Sequence, residues 1–285
     1  ENFRKYLFSF YNSDGQELTL IPDLSISSIL RYAQSKKNSK EKVFYTGSAF
    51  RKSYNKNKVV IRQLGLEIFS SQNENKDDKE IIDTSITILK KAGIKSAKVK
   101  IGNFKLFELL IQKLSIPERW KKRLIKFYWN SNYFSELLKR LEGNLDIDPF
   151  VVAGDHKTYL KMKKQNPNKI IAGRSYSEIL DRYEKKINDP RITKTGKQSC
   201  KIIKEFLKIK CPLKSAPEKL NKFYKKYNLN ISVGKEFFPI TNFKQKNLKF
   251  EFSTGNGRGR EIEYYSSFIF SIDIKIKNKQ KTFIS

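Results

Sequence analysis

Along the first hundred residues, the spacing of apolar positions switches repeatedly between a period of two and one near 3.6. Tyr6 to Tyr11 (YLFSFY) and Glu17 to Ile21 (ELTLI) flank the turn Asn12-Ser-Asp-Gly15, which predicts a hairpin. Pro22-Asp23 then opens a helix whose apolar residues, Ile26, Ile29, Leu30 and Ala33, recur at i, i+3, i+4 and i+7. Val43 to Ala49 and Val59 to Ser70 read as two strands joined by a polar loop, Lys52 to Lys58. Asp77 to Gly93 predicts an amphipathic helix with Ile81, Ile82, Ser85, Ile88, Leu89 and Ala92 inward, and Gly93 is placed to end it. Val99 to Gly102 is a short strand.

From Phe104 to about Tyr227 the spacing is helical throughout. The expected helices are Leu106 to Leu114, Pro117 to Trp129, Tyr133 to Leu141, Tyr176 to Ile187, Gly196 to Ile209 and Pro217 to Tyr227. Pro117, Pro190, Pro212 and Pro217 punctuate them. Strand character returns in Leu248 to Phe252 and Glu263 to Ile276. The pattern predicts an α+β fold, a helical block set inside a β-rich frame.

Composition narrows the function classes. With 38% hydrophobic and 13% aromatic residues among 285, wholesale disorder is excluded. No apolar run approaches the ~18–20 residues of a bilayer span, so no membrane segment is expected. The opening ENFRKYLFSF lacks the apolar core of a signal peptide. Cys200 and Cys211 offer neither a disulfide framework nor a zinc site and suit a reducing, cytoplasmic compartment. With His156 as the only histidine, a His-based metal centre is excluded, and the sequence calls for no cofactor. Its place in AGDHKTY reads as a surface position rather than a base.

The net charge of +30 raises nucleic acid as a partner. Yet 47 of the 59 basic residues are lysine, a flexible point charge, and they recur along the whole chain. The reading taken is a lysine-rich solvated surface, with no nucleic-acid partner.

Three collinear segments carry a resemblance. VFYTGSAFRKSYNKNKVVIRQLGLEIFS (Val43 to Ser70) resembles the second signature motif of class II aminoacyl-tRNA synthetases: a strand ending in Arg, a loop, and a returning antiparallel strand. Its RQLGLE stretch is similar to the histidyl-tRNA synthetase version. LIPDLSISSILRYA (Leu20 to Ala33) is similar to the family's strand-to-helix turn, and GRGREIEYYSSFIF (Gly257 to Phe270) to its histidine-binding Arg-x-x-acid-Tyr-Tyr segment. The fold implied is an antiparallel sheet with flanking helices. Residues 1–103 and 229–285 would form the synthetase-like core and 104–228 a helical insertion, in a chain expected to be truncated at both ends.

The family contains true synthetases and a synthetase-like paralogue, the regulatory subunit of ATP phosphoribosyltransferase. Departures point to the paralogue. The loop Lys52 to Lys58 lacks the acid that helps a synthetase hold ATP, and Ile61 replaces the ring that would stack on adenine. Ile21 stands for the Arg of the first turn, and Ser266 and Ser267 for Thr-Gly. GRSYSEILDRYEKK (Gly173 to Lys186) is also closer to the paralogue.

Two readings stand beside each other for each candidate. Gln63, Gly65 and Glu67 share one strand face, a pocket floor suited to an ammonium group or simply an exposed polar face. Arg51 suits a bidentate carboxylate or a surface ion pair. Asp23 and Ser25 open a helix, where Asp23 suits an N-cap; the resemblance places the pair where the amino acid's amine is read, and Asp23 can do both. Tyr264 and Tyr265 suit cross-strand packing; the resemblance assigns them, with Arg260, to imidazole recognition. STGNGRGR has the look of a phosphate loop without the helix such a loop needs, so it reads as a turn.

By resemblance, Asp23, Ser25, Arg51, Gln63, Glu67, Arg260, Tyr264 and Tyr265 form a histidine site. The implied protein has no active site of its own. It pairs with the short-form catalytic subunit of ATP phosphoribosyltransferase, self-associates as a dimer and conveys inhibition by histidine. The alternative is a histidyl-tRNA synthetase catalytic core.

Overall fold

A computed structural model of the chain describes residues 4–35, 38–52, 59–145, 156–165, 170–171, 173–187, 189, 191, 194–238, 248–258, 267–276 and 279–284. Two compact units emerge, Glu1–Gly93 and Ile94–Ser285.

In the first unit, β1 (Ser9–Tyr11) and β2 (Glu17–Thr19) pair antiparallel around a turn that Asn12 organises, its Oδ1 accepting from the amides of Asp14 and Gln16. Helix α1 (Leu24–Gln34) follows. Then β3 (Glu41–Phe50) and β4 (Val60–Phe69) form a ten-residue antiparallel ribbon with Glu41 opposite Phe69 and Phe50 opposite Val60. Because side chains alternate, Tyr45, Gly47, Gln63, Gly65 and Glu67 share one face, and Phe44, Thr46, Leu64 and Leu66 the other. On that second face Phe44 is 78% exposed and Leu64 65%.

The first face carries α1. Gly47 leaves room for Leu24, whose Cδ1 would lie 3.2 Å from a Cβ there, and Tyr32 stacks on Phe69 with centroids 4.4 Å apart. The helical spacing of α1 is as expected, but none of its side chains is fully buried and Ile29 and Leu30 face solvent. Helix α2 (Glu74–Lys91) starts ahead of Asp77 because the Asn73 side chain accepts from the Lys76 amide and caps it there. Ile82 and Ile86 are its buried apolar residues, while Ile88 is 44% exposed. Of the expected inward set Ile82 is buried and Ile81, Ser85 and Leu89 are half-buried, while Ile88 and Ala92 face solvent and Ile86, outside that set, is buried. Gly93, at φ +83°, ends the helix.

The second unit is built on β5 (Ala97–Asn103), β8 (Lys210–Pro212), β9 (Leu248–Ser253), β10 (Phe268–Ile276) and β11 (Lys279–Ile284), in the order β11-β10-β5-β9-β8. The expected sheet is antiparallel; here β5 and β9 run parallel and the other pairs antiparallel. A parallel pair needs a long crossover, and the helical block between these two strands supplies it. One sheet face presents Val99, Ile101, Phe252, Phe270 and Ile272 to the core. The other pairs Lys98 with Glu251 at 2.8 Å and Lys100 with Asp273 at 2.6 Å.

The crossover contains α3 (Phe104–Lys113), α4 (Glu118–Lys126), α5 (Ser131–Glu142), α6 (His156–Lys163), α7 (Tyr176–Ile187), α8 (Lys194–Leu207) and α9 (Ala216–Lys226). The two-residue strands β6 (Ile170–Ile171) and β7 (Arg174–Ser175) lie between α6 and α7. Asn103 and Asn130 cap α3 and α5. Phe104, Phe107, Tyr128, Trp129, Phe134 and Phe206 pack ring on ring, Phe107 and Tyr128 with centroids 4.4 Å apart. Each such ring contributes roughly 1.5–3 kcal/mol by leaving water. The carboxylate of Asp189, 1% exposed, accepts from Arg119 and from Nε and Nη2 of Arg191, the latter two at 2.9 Å.

His156 opens α6 and is exposed, as its sequence context predicts. Basic residues recur in both units, but the net positive charge is concentrated in the second. Residues 94–285 hold 43 basic and 18 acidic side chains, against 16 and 11 in 1–93. Helical periodicity lines up Lys194, Lys197, Lys201, Lys204 and Lys208 as an exposed row on and just beyond α8.

Candidate functional site

Five of the eight sequence-predicted site residues converge at the start of α1, over the Tyr45 face of the β3–β4 ribbon. Asp23 is the N-cap of α1: its Oδ1 accepts from the Ser25 amide at 2.9 Å, satisfying a helix N–H that would otherwise lack a partner. Its Oδ2 accepts from Arg51 Nη2 at 2.8 Å, with the two side chains only 4% and 13% exposed. Arg51, one residue past β3, also donates Nε to the carbonyl of Pro22 at 2.6 Å. Gln63 reaches from β4: its Oε1 accepts from the Leu24 amide at 2.9 Å, and its Nε2 leans on Asp23 Oδ1 at 3.5 Å. The N-terminus of α1 is thus tied to the ribbon by side chains from both strands' ends.

A second chain of bonds runs through Tyr45, which the sequence reading did not single out. The Tyr45 hydroxyl lies 2.6 Å from Ser25 Oγ and donates to Glu67 Oε1 at 2.9 Å. Burial, with smaller contributions from the Glu67 and Asp23 carboxylates, pushes this hydroxyl well above the usual phenol range. It therefore keeps its proton at physiological pH. Since that proton goes to Glu67, Ser25 must donate to Tyr45, and the order is Ser25 to Tyr45 to Glu67. The ring lies over Gly65, its cross-strand partner: a Cβ on Gly65 would come 2.2 Å from Tyr45 Cζ. The expected pocket floor of Gln63, Gly65 and Glu67 is present, and Tyr45 covers its middle. The available signal was register. Pairing the two predicted strands places a large aromatic directly opposite a glycine.

Arg260, Tyr264 and Tyr265 lie outside the described residues. The turn before them, Gly255 to Arg258, belongs to the second unit. Gly257 has φ +87°, and a Cβ there would sit 3.1 Å from Trp129 Cζ3. Arg258 donates Nε to the Tyr128 carbonyl at 3.0 Å and lies across the rings of Phe134 and Tyr128, 4.5 and 5.2 Å from their centroids. Desolvation lowers its pKa from the usual arginine value, a second placement the sequence did not reveal. Among the described residues no group of three or more His, Cys, Asp or Glu side chains could hold a metal ion, and no helix is long and apolar enough to cross a membrane.

Known proteins resemble this chain over nearly all of it. The family model for histidyl-tRNA synthetase matches residues 2–183. An ATP phosphoribosyltransferase regulatory subunit from Rhizobium rhizogenes is 24% identical over 290 residues, covering 96% of this chain and 77% of the relative. A protein of the same name from Brucella anthropi is 23% identical over 291 residues, covering 95% and 76%. Among solved structures, an ATP phosphoribosyltransferase regulatory subunit/histidyl-tRNA synthetase from Bacillus halodurans is similar with a TM-score of 0.47 and 20% identity, over 95% of this chain and 58% of that one.

Proposed function

The chain belongs to the histidyl-tRNA synthetase family, and from that premise we propose that it is the non-catalytic regulatory subunit of an ATP phosphoribosyltransferase. It joins a short-form catalytic subunit in a hetero-oligomer, self-associates as a dimer, is required for the first step of histidine biosynthesis and conveys feedback inhibition by histidine. The relatives that span most of this chain carry the regulatory-subunit name, which supports the reading.

The observation that carries it is the state of Arg51. In the described structure this guanidinium is engaged by Asp23 and the Pro22 carbonyl, at the end of a strand whose partner offers Ile61 where a ring would stack on adenine. Such a site is built to be held in shape rather than to grip a nucleotide. A ligand that favours one arrangement of a complex shifts it by its differential affinity, typically about 1–3 kcal/mol. Histidine, bound at Asp23, Ser25, Gln63 and Glu67, would act on the catalytic subunit in that way.

The test is phosphoribosyl-ATP formation by a short-form catalytic subunit with and without this chain, histidine being titrated in. Activation that histidine reverses is the expected result. No activation by the folded chain overturns the reading. Histidine-dependent ATP–pyrophosphate exchange, absent on this reading, would instead identify a synthetase core.

A further inference from the structure

Between Lys194 and Lys226 the 33 residues include eleven lysines, no arginine and two acids, Glu205 and Glu218. Their net charge is +9, where 33/285 of the chain's +30 would be about +3.5. All eleven lysines are exposed. Among the described residues only Lys204 and Lys226 have a carboxylate within ion-pair distance, Glu142 of α5 and Glu205 of α8.

Those two pairs also fix the geometry. Lys204 reaches Glu142 and Cys200 donates to the Leu138 carbonyl, so α5 lies along one flank of α8. Phe206 meets Phe223 with centroids 5.8 Å apart, and Glu205 accepts from Lys226 at 2.7 Å, so α9 lies along the other. The lysine row of α8 points outward between these flanks over about 20 Å, at 1.5 Å per residue. On α9, Lys219, Lys222 and Lys226 recur at i, i+3 and i+7, turned away from buried Leu220 and Tyr224. The charge is spread over a broad outer face of two adjacent helices.

The chemistry of that face selects its partner. A protein interface has an apolar, aromatic-rich centre and is poor in lysine; no large hydrophobic side chain of residues 194–226 is exposed. Nucleic-acid sites use arginine for bidentate phosphate contacts and exposed rings to stack bases. Arginine is absent here, and the three aromatic residues, Phe206, Phe223 and Tyr224, are buried. A fluid anionic bilayer surface asks only for point charges, since its headgroups move to meet them. We infer that the α8–α9 face docks on an anionic membrane surface, lying on it without inserting. The inference is independent of the regulatory reading, for it needs neither histidine nor a catalytic subunit.

The experiment is flotation of the full chain with vesicles of phosphatidylcholine containing about one-third phosphatidylglycerol, beside vesicles of phosphatidylcholine alone. At about 0.1 M salt the anionic vesicles should be bound at least about tenfold more tightly, and near 1 M, where charges are screened beyond about 3 Å, binding should be lost. Each lysine near such a surface contributes about fivefold in affinity. Combined Lys197→Glu, Lys201→Glu, Lys219→Glu and Lys222→Glu should therefore weaken binding at least about tenfold. Lys79→Glu, Lys90→Glu, Lys91→Glu and Lys95→Glu change the net charge equally and should cost less than about threefold. Alanine at the same four α8–α9 positions, expected to weaken binding in the same direction, serves should the glutamate variant lose its far-UV circular dichroism. Equal losses from the two sets overturn the proposal, as does failure of the folded chain to bind anionic vesicles. A homopolymeric RNA that displaces the chain from the vesicles at equal phosphate concentration also overturns it, and makes nucleic acid the occupant.

Discussion

Replacing Gly65 by alanine isolates the packing on which the candidate site depends. In an ordinary strand interior, Gly→Ala is favourable by roughly 0.5–1 kcal/mol, since alanine loses less backbone freedom on folding. At Gly65 the added methyl would stand 2.2 Å from Tyr45 Cζ and from its hydroxyl oxygen, where ordinary contact begins at 3.4 Å. The ring must withdraw by about 1.2 Å, the difference between those distances. Bonds of 2.6 and 2.9 Å from the hydroxyl to Ser25 and Glu67 do not survive such a shift. Overpacking costs about 1–3 kcal/mol, and each lost hydrogen bond about 1 kcal/mol. Net of the favourable propensity effect, Gly65→Ala should therefore destabilise the ribbon by about 2–4.5 kcal/mol.

Hydrogen exchange by mass spectrometry over peptides spanning 43–50 and 60–69 reads this locally, and urea denaturation followed by far-UV circular dichroism reads it globally. The deciding step is a double-mutant cycle. In a Tyr45→Ala background the methyl has space, so Gly65→Ala should become neutral or stabilising there, with a coupling energy above about 1 kcal/mol. An equal loss in both backgrounds, or a loss below about 0.5 kcal/mol in the parent, would refute the reasoning.

Three further outcomes follow from the same kind of accounting. Asp189→Ala removes the buried acceptor shared by Arg119 and Arg191 and should lower urea stability by about 3 kcal/mol; a change under about 1 kcal/mol would show that the two guanidiniums find other partners. Burial pushes the Cys200 thiol up to about 12 and raises Cys211 as well, leaving roughly one Cys200 in ten thousand as thiolate at pH 8. Iodoacetamide should therefore leave both unlabelled in the native chain and modify both in urea, and peptide mass spectrometry showing rapid native labelling would contradict this. The Asp77 carboxyl is held below its usual pKa, first by hydrogen bonding from Lys40 and then from Ser71. Its contribution is present above the unfolded carboxylate pKa and lost as pH falls through the lower folded value. The gap in urea midpoint between the parent and Asp77→Asn should thus be constant near neutrality and close below about pH 4; a gap that persists in acid would remove Asp77 as its source.

The elements of this chain were legible wherever period and caps agreed. The β3 and β4 runs alternate cleanly, and Gly93 stops α2 as its position predicts. The inward face of α2 was legible in part: Ile82 is buried as expected, but the helical period alone does not decide between Ile86 and Ile88 as its next inward residue, and tertiary packing selects Ile86. The parallel β5–β9 pair is a property of long-range topology, which no local pattern encodes. At the site, Asp23, Ser25, Arg51, Gln63 and Glu67 were legible as residue types, and the structure gathers them. What each does was not legible, since Arg51 is directed to Asp23 by the geometry of the α1 entry rather than by its own sequence. Tyr45 escaped for a related reason: its importance lies in standing opposite Gly65, a relation between two strands.

The placement of Trp129 gives the chain an optical sense of its own turn. Both tryptophans, Trp120 and Trp129, belong to the second unit, and Trp129 is buried with its indole edge against Gly257. Any rearrangement of Gly255 to Arg258 changes the polarity around that indole and hence the colour and yield of its emission. Events in residues 1–93, which contain tyrosine but no tryptophan, leave their direct mark in tyrosine fluorescence instead. With Trp120 replaced by phenylalanine, selective excitation of indole therefore reports on the turn at Gly257 without any attached dye and is blind to direct changes in residues 1–93.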